Sequence, residues 1–181
     1  MRRNKLHSDC ESERAVVADF CEIFQNETRT LYALALLLTA DHKLAEECFV
    51  RGLDDCLSST VFKQWALSWG KRAVIRNAIR LLAPSVETNV RTSREFDAIE
   101  VRSPFAKAIF ALGDFQRCVF VMSVLEGYRD LESSLLLNCS PKDVVDARCQ
   151  ALRELAAAVG PRPVASVSEH WSTSFTLPAG A

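Results

Sequence analysis

Between Asp55 and Glu87 the chain carries no acid, yet Lys63, Lys71, Arg72, Arg76 and Arg80 all fall in that window, with Trp65 and Trp69 among them. Guanidinium and ammonium groups hold phosphates, and indoles stack on unpaired or end bases, so these residue types together suit a nucleic acid that is single-stranded or opened. At 100° per residue Arg72, Arg76 and Arg80 lie within about 80° of one another on a helix. Trp65 and Trp69 project onto the same stripe, while Leu67, Val74, Ile75, Ala78, Leu81 and Leu82 occupy a separate apolar arc. The same spacing also fits a solvated basic helix whose tryptophans pack on a neighbour and whose arginines pair with Glu46, Glu47, Asp54 or Asp55.

Other chemistries find less support. The 7 cysteines, Cys10, Cys21, Cys48, Cys56, Cys118, Cys139 and Cys149, form an odd set with no CxxC pair, so they read as reduced, mostly buried thiols. His7 and Cys10 have the spacing of half a zinc site, but no second pair follows, and His42 and His170 stand alone. No metal and no cofactor are expected. The chain has no glycine-rich phosphate loop, no HExxH and no nucleophile elbow. Its carboxylate doublets, Glu46-Glu47 and Asp54-Asp55, are adjacent and diverge around a helix. The expectation is a binding protein, not an enzyme.

Placing these residues requires helices. Of 181 residues 49% are apolar and 25% charged, Ala, Leu, Arg and Glu are abundant, and β-branched clusters are missing, which predicts a folded all-α chain. With 22 basic and 23 acidic residues the net charge is −1, so any attraction to nucleic acid must be local. Asp9, Cys10 and Glu11 stand where a secretory leader would need apolar residues, so the chain is expected to be cytoplasmic. The longest apolar run, Leu31 to Leu38, is far short of the ~20 residues of a membrane span, so no membrane insertion is expected.

Periodicity places a first helix from about Ala15 to Thr39, a second from Asp41 to about Leu57 and a third from Thr60 to Ala83, where Pro84 stops it. These form a first domain over 15–83. Residues 84–103 are polar and aperiodic, a linker that spans roughly 66 Å when stretched. A second domain over 104–158 opens with Ser103-Pro104 and holds helices at 104–112, 114–126, about 130–137 and 141–158. Ser140-Pro141-Lys142-Asp143 has the form of a capping box. The short helix, the three-residue turn Asn138-Cys139-Ser140 and the capped helix have the layout of a helix-turn-helix. Residues 159–181 read as a flexible tail.

Both halves, in order, resemble bacterial alternative sigma factors of the extracytoplasmic-function type. Leu31-Tyr32-Ala33-Leu34-Ala35 through Thr39-Ala40-Asp41, then Ala45-Glu46-Glu47, is similar to their core-polymerase-binding part. Trp69, Ile75, Asn77 and Arg80 resemble the segment that contacts the −10 element, and Leu112-Gly113-Asp114-Phe115-Gln116-Arg117, Glu126-Gly127, Glu132 and Val144 the domain that reads the −35 element. The resemblance implies binding to core RNA polymerase through Glu46, Glu47, Val50 and Arg51, and to promoter DNA through Trp65, Trp69, Lys71, Arg72, Arg76, Asn77 and Arg80, with Lys142, Arg148 and Arg153 on the recognition helix. An anti-sigma protein is a further partner that it allows.

The chain departs from that pattern in its second half. Asp143 stands where threonine is usual, Val145 and Ala147 where basic residues are common, and Asp146 adds a second negative charge near the start of the recognition helix. Carboxylates there oppose phosphate approach, which supports an alternative: a degenerate sigma-like protein that works through protein contacts without −35 reading.

Overall fold

A computed structural model of the chain describes residues 16–59, 61–86 and 103–160. The described residues are helical, in the order α1 (Val17–Asn26), α2 (Thr28–Thr39), α3 (His42–Leu57), a 3-10 turn (Lys63–Trp65), α4 (Ala66–Leu82), α5 (Pro104–Ala111), α6 (Asp114–Phe120), a π turn (Val121–Leu125), α7 (Asp130–Leu137) and α8 (Pro141–Val159). Most of the expected linker, 87–102, and the tail from 161 on lie outside the described residues, as do His7, Cys10 and His170.

Helix starts follow local chemistry. The Asp41 carboxylate accepts from Leu44 N at 2.9 Å and caps α3, and Ser103 accepts from Ala106 N at 3.4 Å at the head of α5. At α8 the box is complete: Asp143 N donates to Ser140 Oγ at 3.1 Å, and Ser140 N donates to the Asp143 carboxylate at 2.9 Å. The Ser140 hydroxyl, and after it the Ser140 amide, hold the Asp143 carboxyl below the usual carboxylate range. Asp143 is thereby occupied with its own helix.

The helix expected over 15–39 is in fact two. It breaks at Glu27, whose φ of −103° and ψ of 16° leave the helical region. The Thr28 hydroxyl donates back to the carbonyls of Phe24 and, at 3.0 Å, Gln25, competing with the backbone ladder where α1 ends. The break lets α1 fold back, so that Phe20 and Phe24 enter the same core as Leu31, Leu34 and Leu38 of α2.

Helices α3 and α4 pack tightly at Gly52, where an added Cβ would lie 3.0 Å from Val74 Cγ2 and 3.4 Å from Val74 N. Alanine is favoured over glycine in a helix by about 1 kcal/mol, yet overpacking here costs about 1–3 kcal/mol. Gly52→Ala is therefore expected to lower the urea midpoint, by a net loss of up to about 2 kcal/mol. A raised midpoint would show that the two helices can part freely.

One cluster of buried residues runs from Phe20 in α1 to Leu155 in α8 and includes members of both halves. The junction is polar at its centre. Arg117 of α6 is only 3% exposed, and its guanidinium donates to the carbonyls of Leu38 (2.9 Å), Leu112 (2.8 Å) and Thr39 (3.5 Å) and to the Asp114 carboxylate. Two of those acceptors are carbonyls of the last turn of α2, the negative end of that helix. Beside them the Cys118 thiol of α6 lies close enough to Cys48 of α3 to be influenced by it.

Candidate nucleic-acid interface

Helix α4 turns Ala66, Ala73, Val74, Ile75 and Ala78 into the core and leaves Trp65, Arg72 and Arg80 exposed, with Lys71, Trp69 and Arg76 half-buried. The stripe faces outward. Trp65 is 56% exposed and meets Phe62 edge-on at 5.6 Å between ring centroids. The Arg76 guanidinium lies 5.9 Å from the centre of the Trp69 ring, a cation over an indole face that holds both side chains at the surface.

Several cations of the stripe already have anionic or aromatic neighbours. Arg80 Nη1 is 3.5 Å from Asp55 of α3, Lys63 Nζ is 3.2 Å from Asp19 of α1, and Lys71 Nζ is 3.0 Å from Glu126. Arg72 stands 6.0 Å over the ring of Tyr128. Arg80 keeps 57% of its side chain exposed, so its exposed pair with Asp55 is weak and leaves it open to other anions.

Asn77 corrects the expected surface. It is buried, and its amide donates to the Asp55 carboxylate and to Ala73 O, both at 3.0 Å. It fixes the α3–α4 contact and orients Asp55 towards Arg80, so it acts on the stripe from behind. A buried amide with its donors committed has no reach to a base.

The expected polymerase contacts share one side of α3. Glu46 and Val50 are exposed, Val50 by 56%, and Glu47 pairs with Arg51 at 2.5 Å one turn on. In the second half Lys142 and Arg153 are exposed on α8, but Arg148, expected beside them, forks onto Asp130 of α7, with Nη2 3.3 Å from Oδ2. Asp130 raises the pKa of Arg148 and leaves the guanidinium half-buried between the two helices. The free side of α7 is apolar: Leu131 is 62% and Leu135 74% exposed.

Two residues that the sequence did not single out as contacts meet the stripe. The π turn ends with Glu126 N donating to Val121 O at 3.0 Å and Tyr128 N to Met122 O at 2.9 Å, while Gly127 takes a φ of +72°, which suits glycine. This corner brings Glu126 and Tyr128 onto α4. Trp65, Ser68, Trp69, Lys71 and Arg72 on one side and Glu126, Tyr128 and Glu132 on the other line a cleft of about 600 Å³.

Among the described residues no group of three or more His, Cys, Asp or Glu could hold a metal ion, and no helix is long and apolar enough to cross a membrane. The geometry defines an all-α protein whose most chemically distinctive surface is cationic and aromatic, with a second half docked against it. No protein-family model matches the chain, and no curated protein does. A co-crystal structure of the sigma factor RpoE in complex with the anti-sigma factor NepR from Bartonella quintana resembles it with a TM-score of 0.44 and 16% identity, over 78% of this chain and 96% of that one. A likeness of that size assigns neither a family nor an activity.

Proposed function

We propose that the chain is a sigma-factor-like transcription initiation protein of the cytoplasm that binds core RNA polymerase and promoter DNA, with an anti-sigma protein as a third partner. The outward-facing stripe of Trp69, Arg72, Arg76 and Arg80 on α4, with Trp65 just before it, carries this reading. Guanidinium groups at one-turn spacing follow a phosphate backbone, and indoles beside them receive bases that have left the duplex. In this reading Glu46, Glu47, Val50 and Arg51 on α3 meet the polymerase. Residues 15–83 and 104–158 act as two domains, the second on upstream duplex through Lys142 and Arg153.

R72A/R76A in the full chain is expected to weaken binding to a single-stranded promoter fragment and to flatten its log–log salt dependence by about 1.4 units, roughly 0.7 for each phosphate that an arginine no longer neutralises. Fluorescence anisotropy at several salt concentrations measures both. Equal binding and an equal slope would end the DNA reading. Pull-down of core polymerase followed by run-off transcription on genomic fragments tests the initiation role directly.

The second half favours another reading, in which the chain acts through protein contacts without −35 recognition. Arg148 is spent on Asp130, Asp146 is exposed on α8, and the open side of α7 presents Leu131 and Leu135. Polymerase association with no specific transcript would select that reading.

A further inference from the structure

We propose that the corner formed by Glu126, Gly127 and Tyr128 is an intramolecular stand-in for nucleic acid, occupying part of the basic and aromatic face of α4 and lowering its affinity for single-stranded DNA. This rests on the reading of that face as a DNA surface.

The chemistry of the contacts is that of the ligand they exclude. Lys71 Nζ donates to both carboxylate oxygens of Glu126, at 3.0 and 3.3 Å, as it would to a phosphate. The Tyr128 ring lies under the Arg72 guanidinium at 6.0 Å, where a base would stack. Glu132 lines the same cleft and adds negative charge facing Trp65 and Trp69. With 31% of the Lys71 and 17% of the Glu126 side chain exposed, the ion pair is partly sheltered and resists salt better than a surface pair.

The placement follows from the fold. The π turn ends at Glu126, whose N–H still donates to Val121 O, and Gly127, with its φ of +72°, makes the bend. Behind it, Arg117 anchors α6 on the carbonyls of Leu38 and Thr39. The mask is partial. Arg76 and Arg80 lie outside the lining of the cleft, against Trp69 and Asp55, so an incoming strand can engage that end of the stripe first and then compete for Lys71 and Arg72.

The test is the affinity of the full-length chain for a fluorescein-labelled oligothymidine, comparing wild type, E126Q/Y128A and R72A/R76A by anisotropy across a salt series, with circular dichroism confirming the fold of each. Removing an ion pair and a cation–π interaction is expected to tighten E126Q/Y128A about tenfold. Its salt slope should steepen by about 0.7, as Lys71 takes up a phosphate. If that variant loses its fold, E126Q alone is read, with about threefold tightening expected. Unchanged or weaker binding by the variant, with R72A/R76A still below wild type, overturns the mask and leaves the DNA surface standing. No binding by either wild type or E126Q/Y128A overturns both.

Discussion

Replacing Arg117 by Met is expected to lower the stability of the folded chain by about 3–5 kcal/mol, the range for breaking a buried charged interaction from one side. The substitution keeps most of the side chain's length and removes its donors. It strands the carbonyls of Leu38 and Leu112, which accept at 2.9 and 2.8 Å, and leaves the Asp114 carboxylate without its partner. Unmade hydrogen bonds in a closed junction incur the full desolvation penalty, because no water replaces the missing donor. R117K keeps the charge but cannot span acceptors on two helices at once, so it should fall between wild type and R117M. Urea unfolding followed by far-ultraviolet circular dichroism reads the loss. Because two acceptors belong to α2, limited proteolysis of R117M should also cut between the halves faster than in wild type. A loss below about 1 kcal/mol, the value of an ordinary exposed pair, would show that the junction is not closed.

Raising the pH is expected to unfold the chain through its buried thiols. Burial is the main cause that pushes Cys48 and Cys56 up to about 11 and Cys118 up to about 12. All three thiols are fully buried. The unfolded chain ionises them near the ordinary thiol value, so the neutral folded form has its full advantage below that value. The advantage is lost as the pH climbs from there towards the folded values. Each thiol withdraws about 1.4 kcal/mol per pH unit across that window, and three together about 4. For a total near the lower end of the typical range of about 5–15 kcal/mol, that slope brings an alkaline transition between about pH 9 and 11. C48A/C118A should show a clearly shallower pH dependence, read as the urea midpoint from pH 7 to 11. Identical slopes in the two proteins would assign the alkaline transition to other groups.

Local signals were legible wherever the physics is local. Asp41, Ser103 and Ser140 cap the helices that their sequence contexts predict, because a side-chain oxygen satisfies amides only two or three residues ahead. The outward stripe of α4 was legible for a similar reason: its apolar arc had to go inward, which left Arg72 and Arg80 outside. Thr28 was harder. Its hydroxyl ends a helix only because it turns back onto Phe24 and Gln25, and an uninterrupted apolar period concealed that. A helical wheel gives Asn77 an angle but no neighbour. Asp55 approaches from another helix and engages the buried Asn77 amide in a contact between α3 and α4.

The amino-acid sequence by itself determined that this chain is helical, where most of its helices begin, and that its positive charge concentrates on one helix beside two tryptophans. Those properties depend on neighbours within a few residues, where spacing and capping decide the free energy. Only the tertiary structure decided which cations stay open to solvent and which are engaged. Lys71 meets Glu126 from 55 residues away, and Arg117 reaches the carbonyl of Leu38 from 79 residues away. Contacts of that separation depend on how two helical units turn towards each other, and nothing within one turn of a helix encodes that orientation.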